Sequence, residues 1–454
     1  MGKLFGTDGV RGVANTELTP ELAFDLGRVG GYVLTRETHH APKVLIATDS
    51  RQSGDMLAAA LTAGLCSIGA TVYHAGVMPT PAVAHLVRKY NLDAGAMISA
   101  SHNKMADNGI KFFNNEGFKL PDVLEDEIEA LIEKNRAEGD ELPRPIGTEV
   151  GTVGKSDQAE ADYTGFLLST VKDLRLDGIK IAIDCANGAT SYIAPQIFKQ
   201  LGAELITLHN APNGQNINDN CGSTHMESLQ KCVKEQKADI GIAFDGDGDR
   251  MLAICEKGEF IDGDAIMAIC ALDLNERGKL EKNTVVATVM SNQGFECFCR
   301  DNKINMYRAD VGDRYVLEKM LSDGYCLGGE QSGHVIFLEH STTGDGILTA
   351  LQLLAVLARK KQSLSALAGV IETFPQVLVN ATVPNARKPE LATNAEIQKA
   401  QAEIETALEG EGRILVRPSG TEPVVRVMLE GRDKDKIDGF AKNLASVIEK
   451  NLNF

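Results

Sequence analysis

Three carboxylates at alternate positions of one turn, Asp245, Asp247 and Asp249, follow directly on the apolar run 239–244. Left alone they would repel one another and raise each other's pKa values. A divalent cation holds all three ionised, and Gly246 and Gly248 let the backbone fold tightly around it. The chemistry expected is coordination of a hard ion, Mg²⁺. A calcium EF-hand shares the acid spacing, with Glu256 at its twelfth position, but places Arg250 where the sharp turn wants glycine. Its amino-terminal flank reads as a buried strand, not a helix.

Three further loops carry chemistry-bearing residues. The run AMISASHN (96–103) delivers Ser99 and Ser101 to the carboxyl end of an expected strand, where open α/β sheets bind ligands. Taken alone a serine there serves as a turn cap, and no GxSxG elbow makes it a hydrolase nucleophile. FGTDGVRG (5–12), DGDGDR (245–250) and RPSGTEPVVRV (417–427) each combine glycines with arginine. Exposed backbone N–H groups and a bidentate guanidinium grip oxyanions, so a phosphate socket is expected in an otherwise acidic protein. GGEQSGH (328–334) packs acceptor, amide, hydroxyl and imidazole between glycines, the mixture a sugar requires.

These loops need strands and helices to aim them. Strand-like runs at 43–49, 70–76 and 94–100 enclose the helical MLAAALTAGLCSIG, and the same alternation returns at 179–184, 203–208 and 239–244, then from 284–290 to 304–310. Three related α/β units are therefore expected, with a boundary near 155 after the acidic helical stretch 124–135 and a polar, proline-containing segment. From about 371 the pattern becomes a smaller α+β domain with helices near 392–408 and 434–450. The expected domains are 1–155, 156–255, 256–370 and 371–454, with 368–376 as a hinge.

Composition narrows the function. The 454 residues exceed one core, and a net charge of −17, from 46 basic and 63 acidic residues, opposes nucleic acid and anionic lipid as partners. Nine cysteines, an odd number without a CxxC pair, suggest neither a disulfide framework nor a zinc site. No segment reaches membrane-spanning length and no signal-peptide pattern opens the chain, so a cytoplasmic protein is expected.

SASHN, DGDGDR, GEQSGH and RPSGTEP, in that order over nearly the whole chain, resemble the α-D-phosphohexomutase superfamily. The resemblance implies three related α/β domains with mixed sheets plus a smaller C-terminal α+β domain, heart-shaped around a central cleft. It implies Ser101 as a phosphoserine and one Mg²⁺ per chain held by Asp245, Asp247, Asp249 and a phosphoserine oxygen. Glu330, Ser332 and His334 would contact the sugar. Arg417, Ser419, Gly420, Thr421 and Arg426 would hold the distal phosphate, while Arg11, His102, Lys111 and Arg250 surround the transferring phosphoryl group. FGTDGVRG, the stretch DNGIKFF and Gln331 in place of methionine are most similar to the amino-sugar branch. The expected reaction passes the phosphoryl group of Ser101 to O1 of glucosamine 6-phosphate, and the resulting 1,6-bisphosphate turns around and returns its 6-phosphoryl group. Such a bisphosphate also serves as primer. Lys111, His102 and His334 are the candidates for proton transfer, and the protein would be a monomer or homodimer.

Lys104 departs from the family, which has proline after SHN; without that restriction on φ the loop gains freedom. Glucose or mannose phosphates are alternative substrates on the same fold. A metal-dependent phosphatase and a non-enzymatic phosphosugar sensor are more remote readings.

Overall fold

The computed structural model describes residues 4–6, 8–408, 410–419 and 423–453. Two units emerge: one runs to Met290 and resumes over Tyr307–Ala368, and the other comprises Ser291–Met306 and Gly369–Phe454.

The first unit contains three sheets built on one plan. Lys43–Thr48 and Ala94–Ile98 pair in parallel because their apolar runs can be buried on both faces, and the chain between them runs through the helix Ser53–Cys66, the parallel neighbour strand Thr71–Val77 and the helix Thr80–Lys89. Asp107–Asn114 then returns antiparallel to Ala94–Ile98. In the second sheet Lys180–Asp184 and Ile240–Phe244 are parallel and Met251–Cys255 returns antiparallel. In the third, Thr284–Thr288 and Leu327–Gly329 are parallel and Val335–Phe337 returns. Each turn between the last parallel strand and its antiparallel return carries one of the expected loops: Ser101, the three aspartates, and Glu330–His334. The internal repeat thus places the three loops at equivalent positions of three sheets.

The boundary near 155 falls at a short strand that the polar sequence did not reveal. Val153–Lys155 pairs with Thr71–Val77 at the edge of the first, seven-stranded sheet. The acidic helix is longer than expected, Asp122–Glu138, and ends at Gly139, whose φ of 100° only glycine adopts readily. The helix expected from 392 begins at Ala395, because the Asn394 side chain accepts the N–H groups of Glu396 and Ile397 and fixes its start.

In the second unit Gln376–Thr382, Val424–Gly431 and Gly412–Pro418 form an antiparallel sheet. Val425, Val427 and Leu429 enter a core with the helices Ala395–Ala407 and Lys434–Leu452. Strand alternation therefore turns Arg426 to the opposite, exposed face. Phe374, in the segment expected as a hinge, is buried beneath the Arg432 guanidinium at 5.1 Å. No helix among the described residues is long and apolar enough to cross a membrane.

Helices Thr80–Lys89 and Ala159–Ser169 meet where His85 stacks on Phe166 at 4.0 Å and 18°. His85 Nε2 has no partner among the described residues, and burial, reinforced by Arg88 and Lys89, drives the imidazole down to about 4. A depressed pKa makes stability fully present above the unfolded histidine value of about 6.5 and progressively lost as pH falls toward 4. His85→Phe keeps the stack and removes this sensitivity. Its advantage over the native chain should grow by about 1 kcal/mol between pH 7.5 and pH 5, allowing for solvent screening of this half-buried ring. Denaturant unfolding at both pH values measures it; an equal difference at the two would refute the assignment.

Candidate active site

Ser101 occupies a left-handed turn with φ of 51°, and the turn is held by buried polar groups. Its N–H donates to Ser99 Oγ at 2.9 Å, and that hydroxyl donates to Asp49 Oδ2 at 2.6 Å. Asp49 in turn pairs with Arg51 Nε at 2.9 Å. The rest of the Arg51 guanidinium donates to the carbonyls of Ser101 at 3.0 Å, Asn103 at 2.9 Å, and Lys104. Asn218 Nδ2 donates to the first two of these carbonyls as well, at 2.8 and 2.9 Å. Five hydrogen bonds to three loop carbonyls thus do what the missing proline would have done, so Lys104 does not leave the loop unrestrained. Arg51→Ala would strand Asp49 uncompensated in the interior, and a loss of about 3 kcal/mol is expected, read as a lower unfolding midpoint. An unchanged midpoint would show that the clamp does not carry stability.

The Ser101 hydroxyl donates to Asp245 Oδ2 at 2.6 Å. Gly246 makes this approach possible, since a Cβ there would sit 2.5 Å from the Ser101 carbonyl oxygen. One carboxylate oxygen each from Asp245, Asp247 and Asp249 lies within 4.8 Å of the others, and all three residues are buried. Burial, then Asp249 and Asp247, raises the Asp245 carboxyl well above its ordinary range. Burial acts the same way on Asp247, but the Lys111 ammonium and hydrogen bonds from Asp245 and Thr80 outweigh it and hold that carboxylate low. Asp247 Oδ1 and Asp249 Oδ1 are buried acceptors with no hydrogen-bond partner among the described residues. Crowded carboxylates with outstanding oxygen acceptors fit a hard divalent ion.

Cations close the other side. Lys111, buried in the strand Asp107–Asn114, lies 3.0 Å from Asp247 Oδ2 and 2.8 Å from Asp8 Oδ2. The Arg250 N–H donates to Asp245 Oδ1 at 3.2 Å, and its guanidinium lies 3.8 Å from Asp249 Oδ1. Arg11 pairs with Asp8. Arg11 Nε, Arg250 Nε and His102 Nδ1 are buried without hydrogen-bond partners among the described residues. Burial, followed by Arg250 and Arg11, lowers the His102 pKa, so this ring is neutral and offers one donor. Unpaired donors facing the Ser101 region are what an oxyanion would satisfy.

His334 Nδ1 lies 3.4 Å from Asp249 Oδ2 and its Nε2 lies 3.3 Å from Asp313 Oδ2. The Gly344 N–H donates to Nε2 at 3.0 Å, which assigns the ring proton to Nδ1, toward Asp249. Lys119 bridges Asp313 at 2.5 Å and Asp8 at 2.6 Å. Side-chain contacts therefore link Asp249, His334, Asp313, Lys119, Asp8, Lys111 and Asp247 in one open series. Sequence reasoning missed Asp8, Thr80, Lys119 and Asp313. Asp8 stands inside FGTDGVRG and was visible there; Asp313, in VGDRY, carries no local signal.

Glu330, Ser332 and His334 sit on the tight turn between Leu327–Gly329 and Val335–Phe337, where Ser332 Oγ donates to Glu330 Oε2 at 3.4 Å and Gly333 has φ of 94°. Glu330 and Ser332 border a pocket of about 480 Å³ with Leu252, Phe260, Asp262 and Met290. In the second unit Arg417 and Arg426 face each other directly across the antiparallel pair Gly412–Pro418 and Val424–Gly431, both exposed. Ser419 N–H donates to Val424 O at 2.9 Å at the loop base. Gly420 and Thr421 lie outside the described residues.

Phosphoglucomutase/phosphomannomutase models match in succession: alpha/beta/alpha domain I over 2–139, domain II over 161–258, domain III over 262–374 and the C-terminal domain over 378–447. Curated phosphoglucosamine mutases from Thermoanaerobacter sp. strain X514 and Ruminiclostridium cellulolyticum are 58% and 55% identical to this chain, each aligned over 100% of both chains. A phosphoglucomutase/phosphomannomutase family protein from Burkholderia thailandensis superposes with a TM-score of 0.82 at 23% identity, covering 99% of this chain and 97% of the other. Aspergillus fumigatus N-acetylphosphoglucosamine mutase, solved with GlcNAc-6P and magnesium, gives 0.69 at 18% identity, covering 98% and 95%.

Proposed function

The chain belongs to the phosphoglucomutase/phosphomannomutase family, within its phosphoglucosamine mutase branch, and we propose that it interconverts glucosamine 6-phosphate and glucosamine 1-phosphate through a phosphoserine at Ser101. One observation carries the reading: the Ser101 hydroxyl lies 2.6 Å from Asp245 in a buried cage that also holds two acceptor oxygens, on Asp247 and Asp249, and three donor nitrogens, on Arg11, Arg250 and His102, without hydrogen-bond partners among the described residues.

Asp245, Asp247 and Asp249, with a phosphoserine oxygen, are proposed to hold one Mg²⁺, which when bound withdraws charge from the transferring oxygens. Arg11, Arg250 and His102 direct their spare N–H donors at the phosphoryl group. In the forward direction the Ser101 Oγ–P bond breaks as a bond from phosphorus to sugar O1 forms, and the O1 proton passes to His102 or His334; Lys111, the third candidate for proton transfer, is already an ammonium paired with Asp247 and Asp8 and serves as a donor. Glucosamine 1,6-bisphosphate then turns around, the 6-phosphoryl group returns to Ser101, and glucosamine 1-phosphate leaves. Glu330, Ser332 and His334 meet the sugar hydroxyls in both orientations. The same bisphosphate primes an unphosphorylated chain. Amino-sugar nucleotides for the cell envelope are the expected destination of the product.

The socket for the non-reacting phosphate is assigned to Arg417, Ser419, Gly420, Thr421 and Arg426. Either Arg417→Ala or Arg426→Ala should raise KM by about 10- to 100-fold, the worth of one charge-assisted contact. A KM within twofold of the native value would reject the socket. The domain limits 1–155, 156–255, 256–370 and 371–454 are proposed with this assignment, one loop to each. A small phosphosugar partner, a cytoplasmic setting and a monomer or homodimer complete the reading, supported by the net charge of −17. The test is kcat/KM for glucosamine 6-phosphate against glucose 6-phosphate and mannose 6-phosphate, with Mg²⁺ and a trace of the matching bisphosphate. A strong preference for the amino sugar is expected; preference for a neutral hexose would keep the mechanism and overturn the substrate.

A further inference from the structure

Away from the all-oxygen carboxylate cluster, the second sheet gathers a donor set of a different character. Asp184 ends the strand Lys180–Asp184, His209 follows the end of its neighbour Glu204–Leu208, and Cys221 comes from the loop that passes over both strand ends. One ligand atom from each lies within 4.8 Å of the other two. Asp184 and Cys221 are fully buried, while His209 is half-buried and faces an opening to solvent.

The local bonding orients each group toward the others. Asp184 Oδ1 is occupied by the Ala186 N–H at 2.9 Å, which leaves Oδ2 for His209 Nδ1 at 2.8 Å. Asn187 Nδ2 points at the Cys221 sulfur at 3.9 Å, so the sulfur is presented as an acceptor. Ligand atoms around a tetrahedral ion bound at about 2.0 to 2.3 Å lie roughly 3.5 Å apart, so side-chain adjustment of about 1 Å closes the set. Thiolate, imidazole and a single carboxylate exclude Mg²⁺ and Ca²⁺ and suit zinc, with water completing the fourth position on the solvent side.

We propose that Asp184, His209 and Cys221 form a second, zinc-binding site, separate from the catalytic carboxylate cluster. Burial, with Asp184 beside it, pushes the Cys221 thiol up to about 12, so the metal-free chain keeps it protonated. Coordination forms the Zn–S bond and releases that thiol proton to solvent. Cysteine spacing gives no sign of such a site, since its three ligands come from separate segments and only one is a cysteine. The consequence reaches the phosphoserine loop. Asn218, three residues before Cys221, donates to the Ser101 and Asn103 carbonyls, and its own N–H donates to Ala186 O at 2.9 Å. Zinc would fasten the segment that carries this clamp to the ends of two core strands.

Cobalt(II) reports the sulfur directly through a thiolate-to-metal charge-transfer band in the near ultraviolet. The full-length protein, stripped of metal and supplied with excess Mg²⁺ to fill the carboxylate cluster, is titrated with Co²⁺. One equivalent per chain is expected to develop the band, and Zn²⁺ is expected to abolish it. Cys221→Ser should remove the band and Cys270→Ser, a buried cysteine elsewhere, should retain it. His209→Gln, at a partly exposed position where the glutamine amide can still donate to Asp184, should weaken Co²⁺ binding at least tenfold even if Cys221→Ser fails to fold. Absence of a thiolate band in the native chain, or a band and affinity unchanged in His209→Gln, would overturn the site.

Discussion

Ser101→Ala is expected to lower mutase turnover by about four orders of magnitude or more, because it deletes the atom proposed to carry the phosphoryl group between two substrate oxygens. The clamp on the loop does not involve this side chain: Arg51 and Asn218 hold the carbonyls of Ser101 and Asn103, and Ser99 accepts the Ser101 N–H. Among the described residues, the side-chain bond lost is the one to Asp245 Oδ2. Folding and phosphosugar binding should therefore persist, and kcat should fall far more than KM rises. Steady-state conversion of glucosamine 6-phosphate in the presence of its 1,6-bisphosphate measures this, alongside the unfolding midpoint. Normal turnover by a folded alanine variant would sink the phosphoserine mechanism and direct attention to a direct transfer or to hydrolysis.

The parts legible in the sequence were those in which one short segment contains both the positioning strand and the reactive group. Ile240–Phe244 is an uninterrupted apolar strand, and the aspartates follow it within five residues. Their proximity in space is thus implied by proximity in sequence. The same holds for Ser101 after Ala94–Ile98. Asp8, Asp49, Asn218 and Asp313 act differently. Asn218 reaches a loop 117 residues earlier, and Lys119 reaches Asp313 across 194 residues. Nothing in a window around either residue distinguishes it from an ordinary turn residue. The Asp184, His209 and Cys221 set was hidden for the same reason, since metal spacing rules read neighbours in sequence and these ligands are neighbours only in the sheet. Val153–Lys155 was missed for a simpler cause: an exposed edge strand has no apolar pattern to betray it.

Asp247→Asn separates the chemical role of the carboxylate cluster from its structural one. In the native chain Asp247 Oδ2 accepts Thr80 Oγ at 2.6 Å and Lys111 Nζ at 3.0 Å, while Oδ1 has no partner among the described residues. An asparagine oxygen can keep the first two contacts. The lost charge weakens the pair with Lys111, yet Lys111 retains Asp8 at 2.8 Å and the repulsion on Asp245 and Asp249 is relieved. These effects oppose one another, so the metal-free unfolding free energy is expected to change by no more than about 1 kcal/mol. The proposed Mg²⁺ would feel no such compensation: one of its three proposed anionic ligands becomes neutral, and the Mg²⁺ concentration for half-maximal activity should rise at least tenfold. At saturating Mg²⁺, kcat should still be down by about 10³-fold, because several kcal/mol of stabilisation of the transferring oxygens depends on the ion's placement against Ser101. Activity titrations against Mg²⁺ for the native and variant chains decide the matter. An unchanged metal requirement would mean that the ion sits elsewhere and that the three aspartates serve the fold alone.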